Sequence, residues 1–592
     1  MDITEKIRRK HMTKRLLALL VALLMVVGVV AACDGGETTT GQTTTTEGTT
    51  TQGTTTEGTT TEGTTTTEGE PTGLGPDMLL LPTMENMADK FPGSWDNYGL
   101  IGRMMLFSRL LRLDKDLKPV YGDLADEWTE SEDALQYTFT LHEGVKWHDG
   151  EDFSADDVAF SLKTAMKAPQ VNGVIKGAIM NIKGAKDFQA DEAATAADDV
   201  EGIKVDGNVI TIDMEKPSGT FLLAMAQFNI FPRHKIEGLD VLTLNSSEFY
   251  DWPIGTGPYM VKEFKPNDYA LLEAFPDYFG NKPIIQQVKM TQMTQADYAA
   301  RAMANEIDFF HINDLATAQA ACQNPNYEMN FVDIYFVRYF NWNSYGPKGN
   351  GVDPFKTIES RRAFAHAIDR QALIDNLMPG QAALINSKVP TAFEYANKDV
   401  YDLKYDPDLA KSLLTDVGFD FNTPVKLACY YADQGSADFM DAVVAYLTDV
   451  GMKAEWILLT GDLTAQLYET RDYNLTYAGL SAMAVEEAYN GFHSDAVKAG
   501  VTKNLWPLDV TLMDSLIEEL WVTTDAAKRN EILADIQVVE TEQMLWHIPM
   551  FSLKNIQVFN KARVNVPDEL VLSNEWSNYE RYIDKWTINA AD

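Results

Sequence analysis

The sequence predicts an α/β protein whose folded body divides into at least two lobes of different construction. Three observations predict it. The body, from about residue 74 to the end, is about 520 residues long, more than a single hydrophobic core normally serves. Hydrophobic residues make up 45% and charged residues 23%, ordinary for a globular chain. The early part is rich in period-two strands and hairpin signals, whereas from Thr423 the order is strand, helix, strand, as in a βαβ unit.

The elements follow in order. Residues 78–83 (Met-Leu-Leu-Leu-Pro-Thr) read as a buried strand running into a loop. Residues 136–141 alternate apolar and polar, the mark of a half-buried strand. Ser154 with Asp157 three residues on is a capping-box-like start of a helix. Residues 205–214 alternate again around Asp206-Gly207-Asn208, a hairpin turn. Apolar residues at 363, 364, 367, 368, 372, 373 and 377 predict one helical stripe over 359–377. Asp406-Pro407 opens a helix that runs through Leu414 and stops at Gly418; 439–447 is another, stopped at Gly451, with a strand over 454–459.

The ends and the charge exclude several classes. The formal net charge is −38, so nothing offers the basic surface that nucleic acid needs. Residues 1–15 carry six basic residues, and 16–32 carry no charge. A basic segment followed by an apolar one reads as a secretory signal; Met12 offers a second, compact start to it. A transmembrane helix is the alternative, at its lower length limit. The stretch ends Val30-Ala31-Ala32-Cys33, which resembles the lipobox of bacterial lipoproteins, in which the cysteine is lipidated and the preceding peptide removed. Removing 1–32 takes the formal charge to −42, since six basic and two acidic residues leave with it. Residues 34–73 repeat Thr, Glu and Gly with almost nothing apolar, so burial cannot offset ordering entropy and the segment is a flexible tether spanning about 35 Å on average. A glycosylated stalk is the other reading of such a tract.

The search for chemistry is nearly empty. No His-Glu-x-x-His, Gly-x-Ser-x-Gly or Walker A motif is present. His142 and His148 are too far apart for a compact metal motif, and His148-Asp149-Gly150 reads as a turn. Ile254-Gly-Thr-Gly-Pro-Tyr259 reads as a structural turn, because Pro258 removes an amide that a phosphate cradle would use. Cys322 and Cys429 read as inert thiols in preference to a disulfide pair. Two aromatic clusters interleaved with amides, Trp95-Asp96-Asn97-Tyr98 and Tyr339 to Tyr345, which includes Asn341 and Trp342, suit an apolar pocket with a few polar groups, or equally the aromatic edge of a strand.

The run Leu106 to Trp128 resembles the opening signature of the family 5 extracellular solute-binding proteins, the peptide and nickel receptors of ABC importers. The resemblance continues, in order, through Tyr137 to Glu151, Phe153 to Ser161, Gly255-Thr-Gly-Pro-Tyr259, Pro276-Asp-Tyr-Phe-Gly280, Asn305-Glu-Ile-Asp308, Arg361 to Arg370 and Tyr405 to Lys411. It implies a two-lobed, hinged, periplasmic-binding-protein-like fold with an extra α+β domain, three domains in all. Lobe I would comprise 74–104, 216–330 and 546–592; the extra domain 105–215; lobe II 331–545, with crossover strands near 328–336 and 543–551. It further implies a monomer without enzymatic activity or cofactor, held at the outer face of the cell membrane by lipid on Cys33. That monomer would enclose a peptide-like solute between its lobes and deliver it to a permease. An oligosaccharide or metal chelate is the alternative solute; a surface hydrolase or an adhesive protein are the alternative classes, lacking respectively a nucleophile motif and repeats in the body.

In peptide-binding members a motif of the form Ala-Gly-Trp-x-x-Asp supplies the acid that meets the peptide ammonium. The matching stretch is Tyr477-Ala-Gly-Leu-Ser-Ala-Met483, with Leu480 in place of the Trp and Met483 in place of the Asp. Glu486 or Glu487 would have to reach back to replace that acid. The ligand is therefore expected against Trp95, Tyr98, Asn341, Trp342, Tyr477, Leu480, Met483 and Glu486.

Overall fold

The computed structural model describes residues 78–83, 87, 103–113, 118–169, 171–482, 484–499, 511–566 and 583–589. The expected signal segment, Cys33, the expected tether, Trp95, Tyr98 and Met483 lie outside them. Among the described residues no helix is long and apolar enough to cross a membrane.

One small antiparallel sheet is ordered Ala125–Glu130, Gln136–Leu141, Val209–Asp213, Ile203–Asp206. The alternation in Gln136–Leu141 works as expected: Tyr137, Phe139 and Leu141 face the core. Gly207 turns the hairpin with φ +61°, a conformation that costs other residues. Helix Ala155–Lys167 packs against this sheet. It begins where Ser154 donates its backbone N–H to the Asp157 carboxylate at 2.9 Å. A second four-stranded sheet pairs Met78–Thr83 in parallel with Gln287–Gln292, followed by Tyr269–Ala274 and Tyr259–Lys265. Both sheets drain into one apolar core, from Leu79 and Phe139 to Met290 and Trp586.

The third sheet has seven strands and a different construction. Its spine is an antiparallel pair of long strands, Tyr327–Trp342 and His547–Asn560. At one end of the spine Phe309–Ile312 is added beside His547–Asn560. At the other, Leu475–Ser481 is added beside Tyr327–Trp342, then Pro424–Cys429, then Lys453–Leu458, the last three mutually parallel. Helix Gln434–Asp449, capped by Asp433, makes the crossover between the two outer strands. A second apolar core, including Phe340, Trp342, Phe364, Leu427, Phe439 and Ile536, fills this body.

Midway along the spine the pairing steps from Asp333 opposite Lys554 to Val337 opposite Ser552, and shifts again between Arg338 and Tyr339. Four residues on one strand answer two on the other. Such a bulge unpairs backbone groups, bends the strand and raises its local twist. The two bodies meet through it.

One expected element divides. The stripe over 359–377 forms two helices, Ile358–His366 and Arg370–Leu377. Asp369 caps the second by accepting from the Ala372 N–H at 2.9 Å, a local bond that competes with helix continuation. The break aims the buried Arg370 guanidinium at the carbonyls of Ile385 (2.7 Å) and Pro549 (2.8 Å).

Candidate functional site

Three parallel strands, Pro424–Cys429, Lys453–Leu458 and Leu475–Ser481, end on one edge of the seven-stranded sheet. In open α/β sheets the crevice outside the carboxyl ends of the strands is where ligands bind. Here that edge coincides with the junction of the two bodies, because Phe336 and Val337, at the bulge, pair with Ser481 and Leu480. Across the junction the two bodies touch through polar groups: Lys118 lies 2.7 Å from Glu394, the Asn172 amide donates to Glu487 at 3.4 Å, and the Gly219 N–H donates to the Trp521 carbonyl at 3.0 Å.

The edge carries a cation on an aromatic shelf. Arg338 is half-buried, and its guanidinium carbon lies 3.7 Å from the centre of the Tyr431 ring, 4.8 Å from Phe336 and 5.5 Å from Tyr477. The Tyr431 hydroxyl donates to Tyr430 at 3.1 Å. Gly479, opposite Arg338 in the ladder, makes room: a Cβ there would stand 2.9 Å from both the guanidinium and the Tyr431 hydroxyl. The other face of the sheet holds Tyr339, stacked on His547 at 4.3 Å, with the Lys388 ammonium 4.6 Å from the Tyr339 ring and donating to the Ala488 carbonyl at 3.1 Å. Beneath them Glu540 accepts from the Lys388 N–H (3.1 Å) and the Tyr489 hydroxyl (2.8 Å), and its burial raises its pKa to about 7.

The residues singled out from sequence divide between several surroundings. Trp342 is in the core of the second body, its indole N–H donated to Asp353 at 2.9 Å and its face under Arg361 at 4.2 Å. Tyr477 is buried too, stacked on Phe439 at 4.8 Å and beside Phe340 at 5.5 Å. Asn341 is buried on the opposite face, in register with Thr476 and His547. Leu480 is half-buried at the carboxyl edge. Glu486 is buried in an ion pair with Arg529, and Glu487 accepts from the Ala484 N–H at 3.4 Å as well as from Asn172. Trp95, Tyr98 and Met483 lie outside the described residues.

Arg338, Tyr430 and Tyr431 escaped the sequence reading. The available signal was a single arginine inside the aromatic run from Tyr335 to Trp342.

The remaining chemistry-bearing residues have structural work. His148 clamps the Gly-Thr-Gly turn: Nδ1 accepts from the Gly255 N–H at 3.0 Å and Nε2 donates to the Gly257 carbonyl at 3.1 Å. Burial lowers its pKa to about 4. Asp149 pairs with His234 at 2.9 Å and Lys235 at 3.1 Å. Cys322 and Cys429 are free thiols, and burial pushes Cys429 up to about 11. Among the described residues no cluster of His, Cys, Asp and Glu could hold a metal ion.

Comparison with known proteins gives a consistent result. The model of the bacterial extracellular solute-binding proteins, family 5, matches residues 119–496. The dipeptide-binding protein of Escherichia coli is 26% identical over 531 residues, covering 85% of this chain and 91% of that protein. Among solved structures, a periplasmic oligopeptide-binding protein of an ABC transporter from Thermotoga maritima superposes with a TM-score of 0.71 at 18% identity, covering 87% of this chain and 99% of the other. A Campylobacter jejuni protein in complex with Ni(L-His) gives 0.69 at 20%, covering 87% and 100%. The fold is thus the two-lobed one with an extra domain, and the relatives are substrate-binding proteins of ABC transporters, not enzymes.

Proposed function

The chain belongs to the bacterial extracellular solute-binding proteins of family 5, and from that premise we propose that it is the lipid-tethered receptor of an ABC importer for a peptide-like solute whose amino end carries no free ammonium. The observation that carries the reading is the coincidence of the carboxyl edge of the parallel strands with the bulged crossover pair. A solute held there contacts both bodies only when they are closed, so it favours closure by the difference in contact energy between the two states. The permease then receives the closed form.

The assignment of parts follows. Lobe I is 74–104, 216–330 and 546–592, the extra domain 105–215 and lobe II 331–545, with the bulge at 333–337 and 552–554 as the bending point. Cys33 carries the lipid and 34–73 is the tether. Cys33→Ala should leave the precursor uncleaved or release the protein to the medium; normal processing with membrane retention counts against the anchor.

The missing ammonium rests on the Tyr477–Met483 stretch. Leu480 offers no charge, and Glu486 is held by Arg529, so it does not reach back. A buried ammonium without its acid loses about 2–5 kcal/mol. Calorimetry with di- to pentapeptides, free and N-acetylated, on wild type and Met483→Asp tests this. Wild type should bind the acetylated set and ignore the free one, and Met483→Asp should gain free peptides. Micromolar binding of free peptides by wild type, abolished by acetylation, overturns it.

A further inference from the structure

Away from the bulge the two bodies meet at a tight and specific contact. Gly219 belongs to the loop entering helix Phe221–Met225, whose Phe221, Ala224 and Met225 are buried in the first core. Its N–H donates to the Trp521 carbonyl of the second body at 3.0 Å. A Cβ on Gly219 would stand 2.5 Å from the Thr523 carbonyl oxygen and would overlap the Arg529 guanidinium. Gly219 is not among the glycines at positive φ, so the close approach and not its own backbone demands a glycine here.

The notch that receives Gly219 is built by the second body alone. Arg529, on helix Ala526–Val539, donates to the carbonyls of Leu520 at 3.0 Å and Thr523 at 2.8 Å, at the end of helix Thr511–Val522 where intrahelical donors run out. Its guanidinium also pairs with Glu486, and the two side chains are only 14% and 4% exposed. The Trp521 indole N–H donates to Asn490 at 2.8 Å. Glu486 and Asn490 lie one turn apart on helix Val485–Asn490, which follows strand Leu475–Ser481 after a short connection from the carboxyl edge. The first body touches this helix at its start as well. The Asn172 side-chain oxygen caps helix Gly173–Ile179, accepting from the Val174 N–H at 2.8 Å, while its amide donates to Glu487 at 3.4 Å. The helix that leaves the solute edge is thus gripped by the first body at both of its ends.

We propose that Gly219, Arg529 and Glu486 form a latch that holds the two bodies together, and that helix Val485–Asn490 ties this latch to the solute edge. The proposal rests on the reading of the molecule as a receptor whose bodies close on a solute, and adds a device that biases closure from outside the solute contact. All three are positioning residues: Glu486 fixes Arg529, Arg529 shapes the notch, and Gly219 enters it. Because the latch joins protein groups only, it sets the ratio of joined to separated bodies for every solute alike, and apparent affinity scales with the joined fraction. One such hydrogen bond is worth a factor of about two to ten in that ratio.

The test reads the junction at a different contact, Lys118 with Glu394. The full chain in detergent carries Lys118→Cys and Glu394→Cys, with Cys322→Ser removing the half-buried thiol, and a short bis-maleimide reports how often the two bodies are joined. Adding Gly219→Ala should lower the cross-linking rate about fivefold or more while cooperative melting is retained. Arg529→Lys keeps a cation for Glu486 but lacks the fork that spans Leu520, Thr523 and Glu486, and should give a smaller drop in the same direction. An undiminished rate in both variants overturns the latch; where Gly219→Ala does not fold, an undiminished rate in Arg529→Lys does so alone. N-acetyl tripeptides, added to the chain with its latch intact, test the reading beneath. A rate that rises with peptide but ignores both substitutions overturns the latch and leaves the receptor reading standing. A rate that falls in both variants but ignores peptide supports the latch and removes the peptide-like solute.

Discussion

The two sheets of the first body are joined to each other, and the first body to the second, in opposite ways. Inside the first body the junction is close-packed backbone. Gly255 and Gly257 lie against the carbonyls of Leu106 and Met105, where any Cβ would overlap, and His148 bridges both glycines over a continuous apolar core. Toward the second body, the spine crosses at a bulge, and the contacts around it are polar and widely spaced, among them the half-exposed Lys118–Glu394 pair. Interiors packed at crystal density behave as one block, whereas a bulged strand pair with exposed polar contacts bends at small cost. The difference teaches which junction is fixed and which can articulate.

The largest effect should come from breaking the fixed junction. Gly255→Ala drives a methyl into the Leu106 carbonyl, with no flexible side chain to yield on that side, and should cost about 3 kcal/mol or more, read as a lower urea midpoint. Gly207→Ala, in open space though at positive φ, should cost only about 1 kcal/mol.

A smaller effect should follow pH at the same junction. The folded His148 has a pKa of about 4 against about 6.5 for an unfolded histidine, so between those values the unfolded chain binds the extra proton. Its contribution to stability is complete above pH 6.5 and shrinks as pH falls toward 4. Protonated Nδ1 would also face the Gly255 N–H that it now accepts. Denaturation midpoints from pH 7 to 4 should fall less steeply for His148→Gln than for wild type, although the variant starts lower at pH 7; parallel slopes would remove His148 from the acid response.

The smallest effect on stability should come from the articulating junction, with the largest effect on shape. Lys118→Glu places two acids together across the cleft. It should change the unfolding free energy by less than about 1 kcal/mol, because both partners are half-exposed. In X-ray scattering the ligand-free variant should have a larger radius of gyration than wild type. An unchanged radius would mean that the Lys118–Glu394 contact does not hold the two bodies together.

How much of this was legible in the sequence differs by element. Strands Met78–Thr83 and Gln136–Leu141 and the capped helix at Ser154 were legible because their signals are local: an apolar run, an alternation, a cap. The Gly255-Thr256-Gly257 turn was legible as a turn, but its reason, the Leu106 carbonyl, lies 149 residues earlier in the chain. The candidate site was the least legible part. Alternation along Phe336–Trp342 separates two faces of a strand without saying which lies under helices, so Tyr477 looks the same in sequence whether it meets Phe439 or a ligand, and Trp342 whether it meets Arg361 or a ligand. The partner that occupies Glu486 is Arg529, on a different helix, and no local pattern links them.

The buried Asp308 carries a further consequence, for the order in which the chain can fold. One of its carboxylate oxygens accepts from Leu80 in the first strand and the other from Arg563, at 2.8 Å each, and Arg563 also reaches the carbonyl of Met78. Trp586 sits in the same core. The first body is therefore closed by residues from both ends of the body, whereas the second needs from the far end only the return strand His547–Asn560. During synthesis Met78–Thr83 can pair with Gln287–Gln292 long before Arg563 emerges, whereas the Asp308 carboxylate, joined to Leu80, must wait for its cation. A nascent chain stalled before Arg563 would hold a carboxylate at that strand without its cation, so the first body stays incompletely closed until its far end arrives.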